Sequence, residues 1–371
     1  MNLSVSETHV VASVSCGRDH TLALVAGGRA FGWGGDGSGW IPPDTPQYCS
    51  TSPAPTRAVE VSLRERLVAV AAGFGVSLGI TDQGRVAVWG VSATGVGERA
   101  EPIAPAAPRL LPAIAGARAV AAGEFLFGAI DGAGAIHTWG LDSHGGLGRP
   151  AAQRNAAPGP VAIDVRARRL AVGKGHMLAL TEEGGLLAWG GNAAGQLGLG
   201  HLAAVAAPEA VPARAQFRSL AAGATHSLAV TTDGKVMAWG SNHRGQLGQE
   251  QPAYSAVPLP VRLPEPAQAV AAGMHFSLAL GASGQVYAWG WNAQGQLGLN
   301  DTADRRRPAR VPGLTQVRSI AAGEAHAVAL GAEGLLGWGS NAGGQLGSAD
   351  RRQLRPSLFL AARPAGPEHR P

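Results

Sequence analysis

Seven Trp-Gly dipeptides, at Trp33, Trp89, Trp139, Trp189, Trp239, Trp289 and Trp338, stand 56, 50, 50, 50, 50 and 49 residues apart. A period near 50 that fills a chain of 371 residues means one supersecondary unit copied seven times. The usual division of such a length into two or three domains does not apply. Two further series run in register. Gly17, Gly73, Gly123, Gly173, Gly223, Gly273 and Gly323 each end a triplet of small residues such as Ala271-Ala272-Gly273, and eleven residues later come Gly28, Gly84, Gly134, Gly184, Gly234, Gly284 and Gly334. The repeats start near residues 11, 67, 117, 167, 217, 267 and 317.

Within a repeat the spacing reads as short strands. Ala224 to Asp233 is an apolar, partly alternating run that ends in Asp233-Gly234, a pair that supplies the positive φ of a tight hairpin. Lys235 to Trp239 is the returning strand; a Pro-bearing segment such as Val257 to Leu263 and an apolar approach such as Ala269-Val270 supply two more. Four antiparallel strands per repeat make a propeller blade, so the expected fold is an all-β, seven-bladed β-propeller with four-stranded antiparallel blades. Helix-pair repeats are excluded by the Gly residues that flank or interrupt nearly every element. The small triplets suit strands crowded round an axis, and the Trp rings suit the gaps between blades, where each buries about 150 to 250 Å².

The loop after Trp-Gly reads Trp-Gly-x-Asn-x-x-Gly-Gln-Leu-Gly in repeats four to seven, as in Trp239 to Gly248. Asn242 can bond its own backbone in an Asx-turn, and Gln246, with its equivalents Gln196, Gln296 and Gln345, is placed to tie the loop to an adjacent blade. Together with the His226-Ser227 pair after the triplet, these motifs resemble the regulator of chromosome condensation repeat from residue 11 to about 360. The excess of Arg over Lys, with abundant Ala and Gly, is the composition of a high-GC genome and suits a bacterial member of that family.

The resemblance implies a non-enzymatic protein-interaction scaffold. The alternative it implies is a guanine-nucleotide exchange factor or regulator of a small GTPase. The family's founding exchange factor carries a wedge-like hairpin in its third blade, whereas repeat three here is a bare 50 residues, so no catalytic residue is carried over. The family's ultraviolet-B receptors depend on Trp-Arg-His-Thr after the triplet. Here the segments read Arg18-Asp19-His20-Thr21, Ala224-Thr225-His226-Ser227 and Glu324-Ala325-His326-Ala327, so light sensing is not expected.

Candidate partner-binding residues come from two places. The first repeat carries six extra residues within 35 to 62, and Asp36, Trp40 and Tyr48 lie on that insertion. Arg305, Arg306 and Arg307, with Arg310, and separately Arg351, Arg352 and Arg355, are expected in inter-strand loops. The net charge of +5 is spread rather than gathered in a stripe, so nucleic acid is not the expected partner. His20, His176, His226 and His326 recur three positions after the triplet Gly. Equivalent positions on a ring are too far apart for bonds near 2 Å to one metal, so they are expected to bond backbone within their own blades. Gly75-Val76-Ser77-Leu78-Gly79 matches a nucleophile elbow and Gly32 to Gly37 a dinucleotide fingerprint, but neither has the helix that such chemistry needs.

No catalytic residue, metal or cofactor is expected. Cys16 and Cys49 read as free thiols. The longest apolar stretch, Leu67 to Ile80, is too short and Gly-interrupted to cross a bilayer. The expectation is a monomeric cytoplasmic protein with one propeller over residues 1–360, a disordered Pro-rich tail over 361–371, and a protein partner that could be a small GTPase. The returning strand of repeat seven is one residue short, which predicts an altered turn there. Because the chain opens on a first-strand segment (His9 to Val14) and closes on a Pro-then-apolar strand (Pro356 to Leu360), the termini are expected to share one blade.

Overall fold

The computed structural model describes residues 10–35, 58–90, 106–150 and 155–361. Its strands form seven four-stranded antiparallel sheets, each in chain order from inner to outer edge, arranged as a seven-bladed β-propeller. Blade one runs Val11–Cys16, His20–Val25, Ala30–Gly34 and Val59–Glu60. Blade five, one of the regular ones, runs Phe217–Ala222, His226–Thr231, Val236–Ser241 and Tyr254–Val261. The first strand of each blade touches the first strand of the next, and that of blade seven touches that of blade one.

Glycines set the two closest approaches. At the axis, a Cβ on Gly173 would lie 2.5 Å from the Gly223 carbonyl oxygen of the next blade, so the triplet can end only in Gly. There Phe74 N–H donates to Gly123 O at 3.1 Å and Glu324 N–H to Gly17 O at 3.3 Å, linking neighbouring blades round the channel. At the hairpins, Gly234 has φ +87°, and Thr231 N–H donates to Lys235 O at 2.9 Å. In blade seven the same turn closes one residue sooner, with Gly331 N–H donating to Gly334 O at 2.9 Å, as the shortened repeat predicts.

The core is a series of inter-blade layers. Each repeat Trp is buried, and it packs against the preceding blade: Trp338 lies with Leu278, Leu280 and Leu297 of blade six, and Trp239 with Leu178, Leu180 and Leu197 of blade four. The outer edges are blunted instead of covered. Pro108, Pro158, Pro208, Pro258, Pro308 and Pro356 occupy the fourth strands of blades two to seven, where a missing N–H discourages edge-to-edge pairing.

The shared terminal blade is not formed. Val11–Cys16 is the first strand of blade one, and Arg352–Ala361 is the fourth strand of blade seven, so every blade is one contiguous segment. The described residues begin at an inner strand and end at an outer one, and each of the seven sheets already has its four strands from a single repeat. Closure is side by side. Phe359 of blade seven meets Trp33 of blade one edge-on at 5.3 Å between ring centroids.

Candidate interaction surfaces at the two mouths of the axial channel

The recurrent histidines hold blades together. His20 Nε2 lies 3.1 Å from Ser77 Oγ, His176 Nε2 3.1 Å from Ser227 Oγ, His226 Nε2 3.0 Å from Ser277 Oγ, and His326 Nε2 3.1 Å from Thr21 Oγ1. Each bond crosses to the next blade, which corrects the expectation of a backbone partner within the same blade. Where the next blade offers no hydroxyl, the histidine position is apolar: Val76 packs with Phe127, Leu126 with Met177, and Phe276 with Ala327.

The hydroxyls fix the tautomer. Ser227 Oγ–H donates to Gln196 O at 2.7 Å and Ser277 Oγ–H to Gln246 O at 2.8 Å, so each oxygen has a lone pair left for the Nε2–H of its histidine. The same carbonyls accept Trp239 Nε1–H at 2.8 Å and Trp289 Nε1–H at 2.9 Å. The Gln backbone therefore makes the inter-blade tie. Its side chain, expected to do so, instead accepts from its own loop, as in Arg244 N–H to Gln246 Oε1 at 2.9 Å. Asn242 Oδ1 accepts Leu247 N–H at 3.0 Å, five residues on, a wider loop than an Asx-turn.

Chemistry at these Ser-His pairs is excluded by burial. Ser77, within the nucleophile-elbow pattern, is fully buried in a strand beside His20. At His176, His226 and His326 the second ring nitrogen has no hydrogen-bond partner among the described residues. Desolvation by burial lowers His20 and His176 to about 4 and His226 and His326 to about 3. Burial likewise raises the free thiol of Cys16 to about 12. Among the described residues no group of three or more His, Cys, Asp or Glu is placed to hold a metal ion.

A cavity of about 360 Å³ opens along the axis, walled by the triplets of all seven blades. Its mouth lies on the face where first strands turn into second strands and where third strands end, and the residue after each triplet Gly surrounds it. Arg18 pairs with Glu324 at 3.4 Å and stacks over Phe74 at 4.2 Å, while Phe74 meets Phe125 at 5.4 Å. Lys174 pairs with Glu124 at 3.3 Å. Across the mouth His275 lies edge-on to Trp291 at 6.4 Å, beside half-buried Met274. Partial burial raises the Glu324 carboxyl against the pull of Arg18, and burial with nearby Arg244 lowers His275. The result is two half-buried groups of aromatic and Met side chains on opposite sides of a mouth that also carries charges, the composition favoured at protein interfaces. Most of these residues stand directly after the triplet Gly, where the residue type changes from repeat to repeat, so they form no motif in the sequence.

The candidates chosen from sequence fall elsewhere. Asp36, Trp40 and Tyr48 lie outside the described residues. Arg305, Arg306 and Arg307 are not in a loop, as expected, but begin the fourth strand of blade six, Arg305–Arg310, because Arg305 registers with Gly290 of the third strand. Arg305 pairs with Asp301 at 2.5 Å and Arg307 with Glu250 at 3.4 Å. Arg352 and Arg355 likewise lie on the fourth strand of blade seven.

Seven blades with buried Trp, a Gly-lined axis and Gly-Gln-Leu-Gly loops define a propeller of the regulator of chromosome condensation class. The chain matches the RCC1-like domain family over residues 2–265 and 97–367 and belongs to it. Among solved structures it is similar to Prp20p from Saccharomyces cerevisiae, at 24% identity over 85% of this chain and 80% of that one, with TM-score 0.75; binding of Prp20p to Gsp1p and histones is described. Human WBSCR16 is similar at 24% identity over 89% of this chain and 93% of that one, with TM-score 0.78. The CRINKLY ectodomain of the Arabidopsis thaliana receptor kinase ACR4 is more distant, at 16% identity over 89% and 98%, with TM-score 0.52.

Proposed function

We propose that this protein is a non-enzymatic interaction scaffold, a cytoplasmic monomer that needs no cofactor, which docks a partner protein on the face around the Phe74 mouth. The observation that carries this reading is the pair of half-buried groups, Phe74 with Phe125 and Met274 with His275 and Trp291, that flank a mouth bearing Arg18, Glu124, Lys174 and Glu324. Aromatic side chains supply contact area at small entropic cost, Met adapts its shape to the partner, and the charged rim sets orientation. Asp36, Trp40 and Tyr48, in the insertion that follows the third strand of blade one, are proposed to extend the same contact.

The test uses the full chain, its Phe74→Ser/Trp291→Ser variant and its Trp40→Ala/Tyr48→Ala variant as baits in the native host's extract, with recovered proteins identified by mass spectrometry. A partner retained by the wild type and lost by the first variant, at an unchanged melting temperature, supports the proposal. Equal recovery by both overturns it. Because Prp20p binds Gsp1p, the first candidate is a small GTPase loaded with labelled GDP. Release accelerated by the wild type and not by the Phe74→Ser/Trp291→Ser variant would replace the scaffold reading with the exchange-factor alternative on the same face.

A further inference from the structure

The opposite mouth of the channel carries a different chemistry. The second residue of the repeat is Arg118, Arg168, Arg218 or Arg318 in blades three, four, five and seven, on the inner strand in blades four and five and just before it in blades three and seven, and these side chains reach across to carbonyls of the neighbouring blade. Arg118 donates to Ala167 O at 2.6 Å, Arg168 to Phe217 O at 2.7 Å, Arg218 to Ala267 O, and Arg318 to Val11 O at 3.5 Å. Arg118 also pairs with Glu182, whereas among the described residues Arg168, Arg169, Arg218 and Arg318 have no carboxylate partner. A cavity of about 460 Å³ opens between Arg118, Arg168 and Arg169, with Val120, Leu170 and Leu220 in its wall.

Carbonyl acceptors orient a guanidinium without neutralising it, so the inner rim holds fixed, unbalanced positive charge over an apolar wall. The hairpins joining second to third strands stand farther from the axis on the same face. Their tips carry exposed Asp82, Glu182, Glu183, Asp233 and Glu333. A broad polyanion lying across the face would meet those carboxylates first, whereas a slender anionic chain entering along the axis would meet only the arginines.

We propose that this mouth binds an acidic peptide segment of a partner, its carboxylates on Arg168, Arg169, Arg218 and Arg318 and an aliphatic side chain against Val120, Leu170 and Leu220. The proposal concerns the face opposite Phe74 and stands or falls apart from the scaffold reading. The probe is a fluorescein-labelled peptide of five glutamates ending in leucine, titrated with the full chain and followed by anisotropy. Arg169→Glu removes a side chain that makes no hydrogen bond among the described residues, so the fold is expected to survive; Arg351→Glu, on the outer edge of blade seven, is the control. The expected result is at least tenfold weaker binding for Arg169→Glu, with Arg351→Glu unchanged. Equal weakening by both variants, or by neither, overturns the proposal. So does a 20-base-pair duplex that competes the peptide off at lower concentration than unlabelled peptide does.

Discussion

His326 and Thr21 stand 305 positions apart in the chain, yet His326 Nε2 and Thr21 Oγ1 are 3.1 Å apart. The bond joins blade seven to blade one with the same geometry that His226 and Ser277 use between blades five and six. The ring therefore closes with an ordinary inter-blade interface, four of which are polar and three apolar at this layer. A histidine facing an apolar neighbour would bury an unmatched N–H, at a cost of about 1–3 kcal/mol. Histidine and hydroxyl must therefore occur or be absent together in consecutive blades.

The four histidines make stability fall in acid. Their folded pKa values, about 4 for His20 and His176 and about 3 for His226 and His326, lie below the ordinary value of 6.5. Between pH 6.5 and 4 the unfolded chain therefore binds more protons than the folded one, and stability rises with pH across that window. It is fully present above pH 6.5 and is lost as pH falls toward the folded values. At pH 5.5 each histidine removes on the order of 1 kcal/mol and the four together on the order of 5 kcal/mol, a large part of the usual 5–15 kcal/mol of folding stability. Urea midpoints measured from pH 7.5 to 5 are expected to drop steeply below 6.5; a flat profile would show that the histidines are solvated.

Exchanging one polar interface for an apolar one tests the same layer locally. His226→Phe with Ser277→Ala copies the Phe276–Ala327 arrangement, so near pH 7.5 the double variant should melt within a few degrees of wild type, and its acid sensitivity should shrink by about one quarter. Ser277→Ala alone strands the His226 N–H and should cost about 1–3 kcal/mol. If the double variant is less stable than Ser277→Ala, the layer is not interchangeable.

The side-by-side closure makes Phe359 more important than the exposed residue beside it. Phe359→Ala removes the edge-on contact with Trp33 from a half-buried site and should cost about 2 kcal/mol, below the 3–5 kcal/mol of a fully buried aromatic. Leu358→Ala, 48% exposed, should cost under about 0.5 kcal/mol. Trp239→Ala removes both a fully buried ring and the bond to Gln196 O and should fall in the 3–5 kcal/mol range. Chemical denaturation of the three variants ranks them, and equal losses at Phe359 and Leu358 would show that the seam carries no packing.

Much of this fold is written in single repeats. Trp239, Gly234 and Gly223 each report a layer, a hairpin and an axial approach, because each acts within one blade or against an invariant neighbour. What escaped was relational. His176 pairs with Ser227, 51 residues later, and the signal was present as a hydroxyl in the repeat after every histidine, visible only when consecutive repeats are compared. Arg118, Arg168, Arg218 and Arg318 stand 50, 50 and 100 residues apart in sequence, and only the ring brings them to one mouth. The run Arg305-Arg306-Arg307 looked concentrated, yet strand alternation and ion pairs divide it. The termini do not share a blade because Val11 stands on the inner strand of blade one and Ala361 on the outer strand of blade seven, and the residue types at the two ends do not carry that difference.

That division of the Arg305 run leads to a prediction about nucleic acid. On duplex DNA each neutralised phosphate adds about 0.9 to the slope of log affinity against log salt, so three free arginines would give about 2.7. Arg305 and Arg307 already meet Asp301 and Glu250, which must be displaced before a phosphate can bind, and the edge strand presents alternate side chains to different sides. The protein is therefore expected to show no duplex DNA binding at physiological salt. Replacing Arg305, Arg306 and Arg307 by Ser should leave the melting temperature nearly unchanged, since exposed ion pairs contribute about 0–1 kcal/mol each. A gel shift that appears with wild type, weakens steeply with salt and vanishes in the triple Ser variant would show that these arginines release their carboxylates to a polyanion.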